Sequence, residues 1–87
     1  MEEARIDKWL WHARLASTRT QASRLVEDGH LRINGKKIDK AHHAVRPGDV
    51  LTVATDGGVR VIRVLGLTDR RVGFQIARGL YQDIAKG

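Results

Sequence analysis

The sequence predicts an α+β fold in which two N-terminal helices pack on a small, mostly antiparallel sheet that contains an Asn-Gly hairpin. Three observations support it: apolar residues recur at helical spacing, an Asn-Gly dipeptide is flanked by alternating residues, and two strand-like runs follow. We expect the 87 residues to form one domain, 1–87, because chains this short rarely build two cores. The pattern specifies the core motif over 5–53 more sharply than the C-terminal segment over 59–87.

The first helix is predicted from RIDKWLWHARL, residues 5–15. Its apolar stripe has amphipathic spacing and consists of Ile6, Trp9, Leu10 and Ala13. A basic stripe beside it consists of Arg5, Lys8 and His12. Trp11 lies off the apolar stripe; it either packs with Leu15 against the C-terminal segment, the interpretation we favour, or stacks on a nucleic-acid base. Asp7 and Arg14 project at nearly the same helical angle, so we expect them to pair.

The second helix is predicted to begin at a capping box, in which Thr18 and Gln21 satisfy the first free backbone N–H groups. Its apolar stripe consists of Ala22, Leu25 and Val26. Gly29 follows where a left-handed C-terminal cap is expected. The positive end of this helix favours a phosphate near Ser17, Thr18 and Arg19.

The hairpin is predicted from HLRINGKKI, residues 30–38. Asn-Gly is the strongest short-range signal for a type I′ turn, because both central residues need positive φ. With Asn34–Gly35 at the tip, Arg32 faces Lys37. Like charges that face each other on a hairpin cost about 0.2–1 kcal/mol relative to a neutral pair. A phosphate would turn this repulsion into shared attraction, so the cluster indicates an anionic ligand.

The rest of the chain is predicted to complete the sheet. RPGDVLTVA predicts a turn at Pro47–Gly48 and then a strand, TDGG predicts another reverse turn, and VRVIRVLGL predicts a further strand. For residues 68–87 we expect a strand and a short helical turn around Leu80 and Tyr81.

The positive charge of the chain is concentrated in its N-terminal half. The net charge is +6; residues 4–46 hold ten basic and four acidic side chains, and the remainder holds six of each. Uniform charging for solubility would not give this asymmetry, whereas a basic face for a polyanion would. Phosphate groups of nucleic acid are the most common such ligand.

Composition and motifs argue against several other function classes. The chain has no Cys, and its four His residues lack the spacing of a zinc site, so we expect no metal and no cofactor. It has neither a nucleophile elbow nor a Gly-rich phosphate loop, and we expect it not to be an enzyme. Without a long apolar run, a soluble cytoplasmic protein is expected, with no membrane partner. Nothing in the sequence demands more than a monomer.

Two segments, RIDKWL and STRTQASRLVEDGHLRINGKK, resemble the RNA-binding domain first described in small-subunit ribosomal protein four. The resemblance runs from Arg5 to Lys37 and implies the fold predicted above. Similar domains occur in pseudouridine synthases and tyrosyl-tRNA synthetases. The paired Trp residues, HHAVRPGDVLTV and GLYQD look most like the heat-shock protein 15 family, which carries this domain without a catalytic one. Members of that family often have a longer basic C-terminal extension.

The resemblance implies binding to ribosomal RNA of the large subunit, and to tRNA as a further possible partner, in the rescue of subunits that carry a nascent chain. It places RNA contacts on the loop and second helix and on the hairpin, with additions from the first helix. These residues are Arg5, Lys8, Arg14, Thr18, Arg19, Thr20, Arg24, Arg32, Asn34, Lys36 and Lys37. Thr18 and Asn34 are expected mainly to shape the backbone that presents the cations. Recognition of structured RNA by shape is the expected mode.

Three alternatives stay open at this point. The chain could be a ribosome quality-control factor that assists nascent-chain tailing, or an RNA-binding part or relative of a pseudouridine synthase. It could also be an interaction protein whose basic face binds an acidic protein.

Overall fold

The computed structural model describes residues 2–55 and 57–86. The helices are α1 (Ile6–His12), α2 (Arg19–Glu27) and α3 (Phe74–Arg78). The strands are β1 (Ala4–Arg5), β2 (Leu31–Ile33), β3 (Lys36–Lys37), β4 (Ala44–Val45), β5 (Val50–Thr55), β6 (Gly58–Val64) and β7 (Tyr81–Lys86). The helices and the mostly antiparallel sheet confirm the predicted α+β class, with the short β1 before α1 and with α3 between β6 and β7. No described helix has the length and apolar character needed to cross a membrane.

The strands form one five-stranded sheet and one separate two-stranded ribbon. The sheet has the order β3-β2-β5-β6-β7, and β1 pairs with β4 in the ribbon. All described strand pairs are antiparallel. The ribbon ties the start of α1 to the loop after the hairpin, because the N–H of Ile6 donates to the His43 carbonyl at 2.8 Å. The first basic residues are therefore held against the body of the domain.

The core lies between α1, α2 and the sheet. The predicted apolar stripe of α1 is buried, with Ile6, Trp9 and Leu10 fully inaccessible to solvent. Trp9 also joins the two halves of the chain: its indole N–H donates to the Gly66 carbonyl at 2.9 Å, and its ring meets Tyr81 edge-on at 6.5 Å between centroids. The sequence signal of a core tryptophan is confirmed.

Local signals set both ends of α2. The Thr18 hydroxyl accepts from the Gln21 N–H at 3.0 Å, and the Gln21 side chain accepts from the Ser17 N–H at 3.1 Å. At the other end Gly29 has φ of +80°, its N–H donates to the Val26 carbonyl, and the following N–H donates back into the last turn. This is a Schellman cap, so the predicted start and end of the helix are confirmed.

The hairpin forms at the predicted tip. Asn34 and Gly35 have φ of +53° and +81°, as a type I′ turn requires, and Arg32 is opposite Lys37. The Asn34 side chain accepts from the Val50 N–H at 2.9 Å and donates to Asp49 at 3.1 Å. These bonds fix the hairpin tip to the start of β5.

The C-terminal elements differ from the prediction in position. The turn at Pro47–Gly48 precedes β5 as expected, whereas the short helix is α3, which ends before the predicted helical turn, and Tyr81 begins a strand. The strand expected within residues 68–87 is β7, which pairs with β6. Asp56 of the TDGG turn lies outside the described residues.

Candidate nucleic-acid interface

The hairpin carries three exposed cations, Arg32, Lys36 and Lys37, called here the hairpin cations. Within the described chain, no carboxylate lies at ion-pair distance from any of them. The side chain of Lys37 lies over the C-terminal end of α2, where a Cβ on Gly29 would approach its Cε to 2.6 Å. Lys37 thus lies near the negative end of the helix dipole. The predicted like-charge cluster therefore exists and faces solvent.

A second group is organised by a buried carboxylate. Asp7 is 1% exposed, and both of its oxygens accept hydrogen bonds from Arg5, at 3.1 and 2.9 Å. The Nε of Arg19 lies 3.8 Å from the same carboxylate, so Asp7 connects the start of α1 to the start of α2. We call Arg5, Asp7 and Arg19 the Asp7 cluster. Both arginines remain nearly half exposed, with side-chain exposures of 46% and 45%.

The predicted pairing of Asp7 with Arg14 is wrong. α1 ends at His12, and Arg14 has φ of +60°, so it does not share the helical angle of Asp7. Its Nε instead donates to the Val72 carbonyl at 2.7 Å. The helical extrapolation failed because it continued past the last residue of the helix.

The segment between β6 and α3 contributes contacts that sequence reasoning missed. The Arg71 guanidinium lies 5.7 Å from the ring centre of Trp11 and reaches the Ser17 carbonyl at 3.5 Å. Trp11 is partly buried against the core, which agrees with the packing interpretation. His12, placed on the basic stripe from sequence, is buried, with its Nδ1 3.4 Å from the Thr68 carbonyl. No sequence signal separated Arg71 from the other C-terminal arginines.

The remaining candidate residues belong neither to the hairpin cations nor to the Asp7 cluster. Lys8, Thr20 and Arg24 are exposed. Arg24 borders a shallow cleft of about 290 Å³ with Leu15 and Leu25 among its walls. Thr18 has the capping role expected of it, and Asn34 positions the hairpin tip. Among the residues that the structure describes, no group of His, Asp or Glu side chains is arranged to hold a metal ion.

Comparison with known proteins accounts for this arrangement of helices and hairpin. The model of the S4 domain family matches residues 4–51, more than half of the chain. The chain belongs to the S4 domain family. The RNA-binding domain fold predicted from RIDKWL and the Asn-Gly hairpin is thereby confirmed, and the matched S4 region contains every candidate contact residue. Its C-terminal boundary falls within β5.

Whole-chain similarity lies with heat shock protein 15. The homologue from Haemophilus influenzae is 34% identical over 82 residues, covering 94% of this chain and 62% of its own length. Small ribosomal subunit protein uS4 from Kosmotoga olearia is 39% identical over 59 residues, 68% of this chain and 28% of that protein. The structure of Vibrio cholerae heat shock protein 15, described as trimeric, superposes with a TM-score of 0.88 at 36% identity, covering 97% of this chain and 84% of that one. This S4 domain is thus close to the heat shock protein 15 family, and the chain spans about three fifths of the curated heat shock protein 15 relative.

Proposed function

We propose that this protein is a non-catalytic, cytoplasmic RNA-binding protein that binds ribosomal RNA of the large subunit and acts in the rescue of subunits carrying a nascent chain. The observation that carries the proposal is the set of hairpin cations, which face solvent with no carboxylate at ion-pair distance among the described residues. Relatives named as heat shock protein 15 and as a ribosomal protein support a ribosomal partner. We propose tRNA on the same subunit as a second partner.

The chemistry of the interface fits phosphate recognition. Arg32 offers a planar fork that grips a phosphate through two hydrogen bonds, while Lys36 and Lys37 act as point charges. The Asp7 cluster adds two arginines whose outward N–H groups stay available, because each side chain is nearly half exposed. Such a surface contacts the backbone of A-form RNA and reads its shape more than its sequence.

Salt dependence of binding tests the proposal directly. The logarithm of affinity for purified large-subunit ribosomal RNA should fall linearly with the logarithm of salt concentration, by roughly 0.7–0.9 for each neutralised phosphate. We expect Arg19→Ala and Lys37→Ala each to reduce that slope by about one unit. Arg63→Ala is the matched control, since Arg63 is an exposed cation opposite the neutral Gln82 on β7. A salt-independent affinity, or wild-type affinity in the double variant, would contradict the proposal.

The ribosomal assignment needs a measurement in the cell. After gradient sedimentation of an extract, we expect the protein to be enriched on free large subunits. Enrichment on small subunits, or absence from both, would contradict the assignment. Failure of the purified chain to bind any structured RNA would instead favour an acidic protein as partner of the same face.

The solution state is a separate prediction. The sequence predicts a monomer, whereas the similar Vibrio cholerae structure is described as trimeric. Sedimentation equilibrium with and without ribosomal RNA distinguishes the two states, and a concentration-dependent mass in the absence of RNA would overturn the monomer prediction.

A further inference from the structure

The segment over 65–73, between β6 and α3, brings a cation onto the S4 region from outside it. Arg71 is far from residues 4–51 in sequence, yet its guanidinium lies 5.7 Å from the ring centre of Trp11 on α1. Its Nη2 also lies 3.5 Å from the Ser17 carbonyl. Ser17 directly precedes Thr18, the N-cap of α2. Arg71 is therefore placed beside the loop that leads into the Asp7 cluster.

Arg14 reaches the same segment from the other direction. Its Nε donates to the Val72 carbonyl at 2.7 Å. Its positive φ of +60° directs the chain away from the axis of α1. Val72 directly follows Arg71 in the chain, so Arg14 and Arg71 both tie the 65–73 segment to the region between α1 and α2. A non-glycine residue in the left-handed region carries a conformational cost, which the carbonyl contact offsets in part.

The anchors of these two arginines are electrically neutral. Arg14 is held by a carbonyl, and Arg71 by a carbonyl and an aromatic face. By contrast, four other arginines of the described chain have a carboxylate at ion-pair distance: Arg5, Arg19, Arg46 and Arg60. For Arg14 and Arg71 no such carboxylate lies at ion-pair distance within residues 2–55 and 57–86. Their charges are thus held without compensation beside the loop that precedes α2, and this position, which Arg78 does not share, favours a phosphate there.

We propose that Arg71 is a phosphate-binding residue, which with Arg14 forms a second contact pair and makes the 65–73 segment part of the RNA interface. The inference rests on the proposed function. The Trp11 ring orients the guanidinium from one side, and the remaining N–H groups are left for the ligand. The interface then extends from the hairpin cations through the start of α2 to a segment outside the family motif.

The test compares Arg71→Ala with Arg78→Ala. Both residues are exposed arginines over an aromatic ring, since Arg78 lies 6.0 Å from the ring centre of Phe74, and both substitutions remove one charge. For purified large-subunit ribosomal RNA, we expect Arg71→Ala to lower the salt slope by about one unit and affinity roughly three- to tenfold. Arg78→Ala should leave the slope unchanged. Lys37→Ala, measured in parallel, reports on the proposed function itself.

Two conservative variants separate binding from packing. Arg71→Lys keeps the charge and should retain the slope, and Arg71→Gln keeps a donor for the Ser17 carbonyl but should lose one unit of slope. Thermal unfolding of each variant shows whether the fold is intact. If Arg71→Ala does not fold, Arg71→Gln replaces it in the binding measurement. The inference is overturned if Lys37→Ala lowers the salt slope but Arg71→Gln keeps the wild-type slope. It is also overturned if Arg78→Ala lowers the slope as much as Arg71→Ala does. If Lys37→Ala has no effect either, the proposed function fails with it.

Discussion

The β2–β3 hairpin and the β6–β7 pair are both antiparallel ribbons at the edges of the same sheet, yet they treat their cations differently. On β2–β3, Arg32 is opposite Lys37, and no carboxylate of the described chain lies at ion-pair distance from either. On β6–β7, Arg60 is opposite Lys86 in the register. Arg60, however, also forms an ion pair with Asp83 at 2.9 Å and lies 5.6 Å from the ring centre of Tyr81. The hydrogen bond to Asp83 raises the pKa of Arg60 above its ordinary value.

The difference shows that the placement of a cation matters more than its number. A paired arginine contributes to its own ribbon and presents little net charge, whereas facing cations repel each other and weaken theirs. Selection for folding alone would favour the arrangement on β6–β7. The unfavourable arrangement on β2–β3 is the one that the proposed phosphate ligand would relieve.

The largest expected effect comes from breaking the contact that joins α1 to the β6–β7 side of the molecule. Trp9→Ala should lower the free energy of unfolding by about 3–5 kcal/mol, because it leaves a cavity and removes the indole donor of the Gly66 carbonyl. That is a large share of the stability of a small domain. Urea unfolding followed by circular dichroism measures it, with the half-buried Trp11→Ala as control. If Trp9→Ala and Trp11→Ala lower the free energy of unfolding by amounts within about 1 kcal/mol of each other, Trp9 does not have this special role in the core.

Next in size, neutralising the carboxylate of the Asp7 cluster and the carboxylate on β7 compares a carboxylate that orders proposed RNA contacts with one that pairs an arginine elsewhere. Asp7→Asn and Asp83→Asn both raise the net charge by one. Asp7→Asn should cost about 1–3 kcal/mol of stability, since it breaks buried charge-assisted bonds to Arg5, and should weaken RNA binding despite the added charge. Asp83→Asn should cost less than about 1 kcal/mol, because that pair is nearly half exposed.

Chemical denaturation and filter binding to ribosomal RNA give the two readouts. If net charge alone governed binding, both variants would bind more tightly. Tighter binding by Asp7→Asn would show that Asp7 does not position Arg5 and Arg19 for the ligand.

The smallest expected effect is a gain of stability. Arg32→Glu places opposite charges across the hairpin and should stabilise the domain by roughly 0.2–1 kcal/mol while weakening RNA binding. Arg63→Glu, opposite the neutral Gln82, should change neither quantity appreciably. Urea titrations and RNA-binding isotherms of the same variant measure the expected gain of stability and the expected loss of binding. If Arg32→Glu lowers both the stability and the RNA affinity, repulsion between Arg32 and Lys37 does not destabilise the hairpin.

The sequence by itself determined the features that depend on neighbouring residues. The stripe through Ile6 and Trp9, the capping box at Thr18 and the Asn34–Gly35 turn each rest on contacts or φ angles within a few positions, so periodicity and residue type encode them. The hairpin register followed from its turn, which placed Arg32 opposite Lys37. The fold class and the hairpin cations were therefore predictable.

Only the tertiary structure decided which distant groups meet. The carboxylate of Asp7 meets Arg19 rather than Arg14, and Arg71 lies on Trp11, because α1 ends at His12 and the 65–73 segment returns across it. β7 likewise depends on pairing with β6. Such contacts join residues up to about sixty positions apart and arise from packing against a shared core, which no local pattern records.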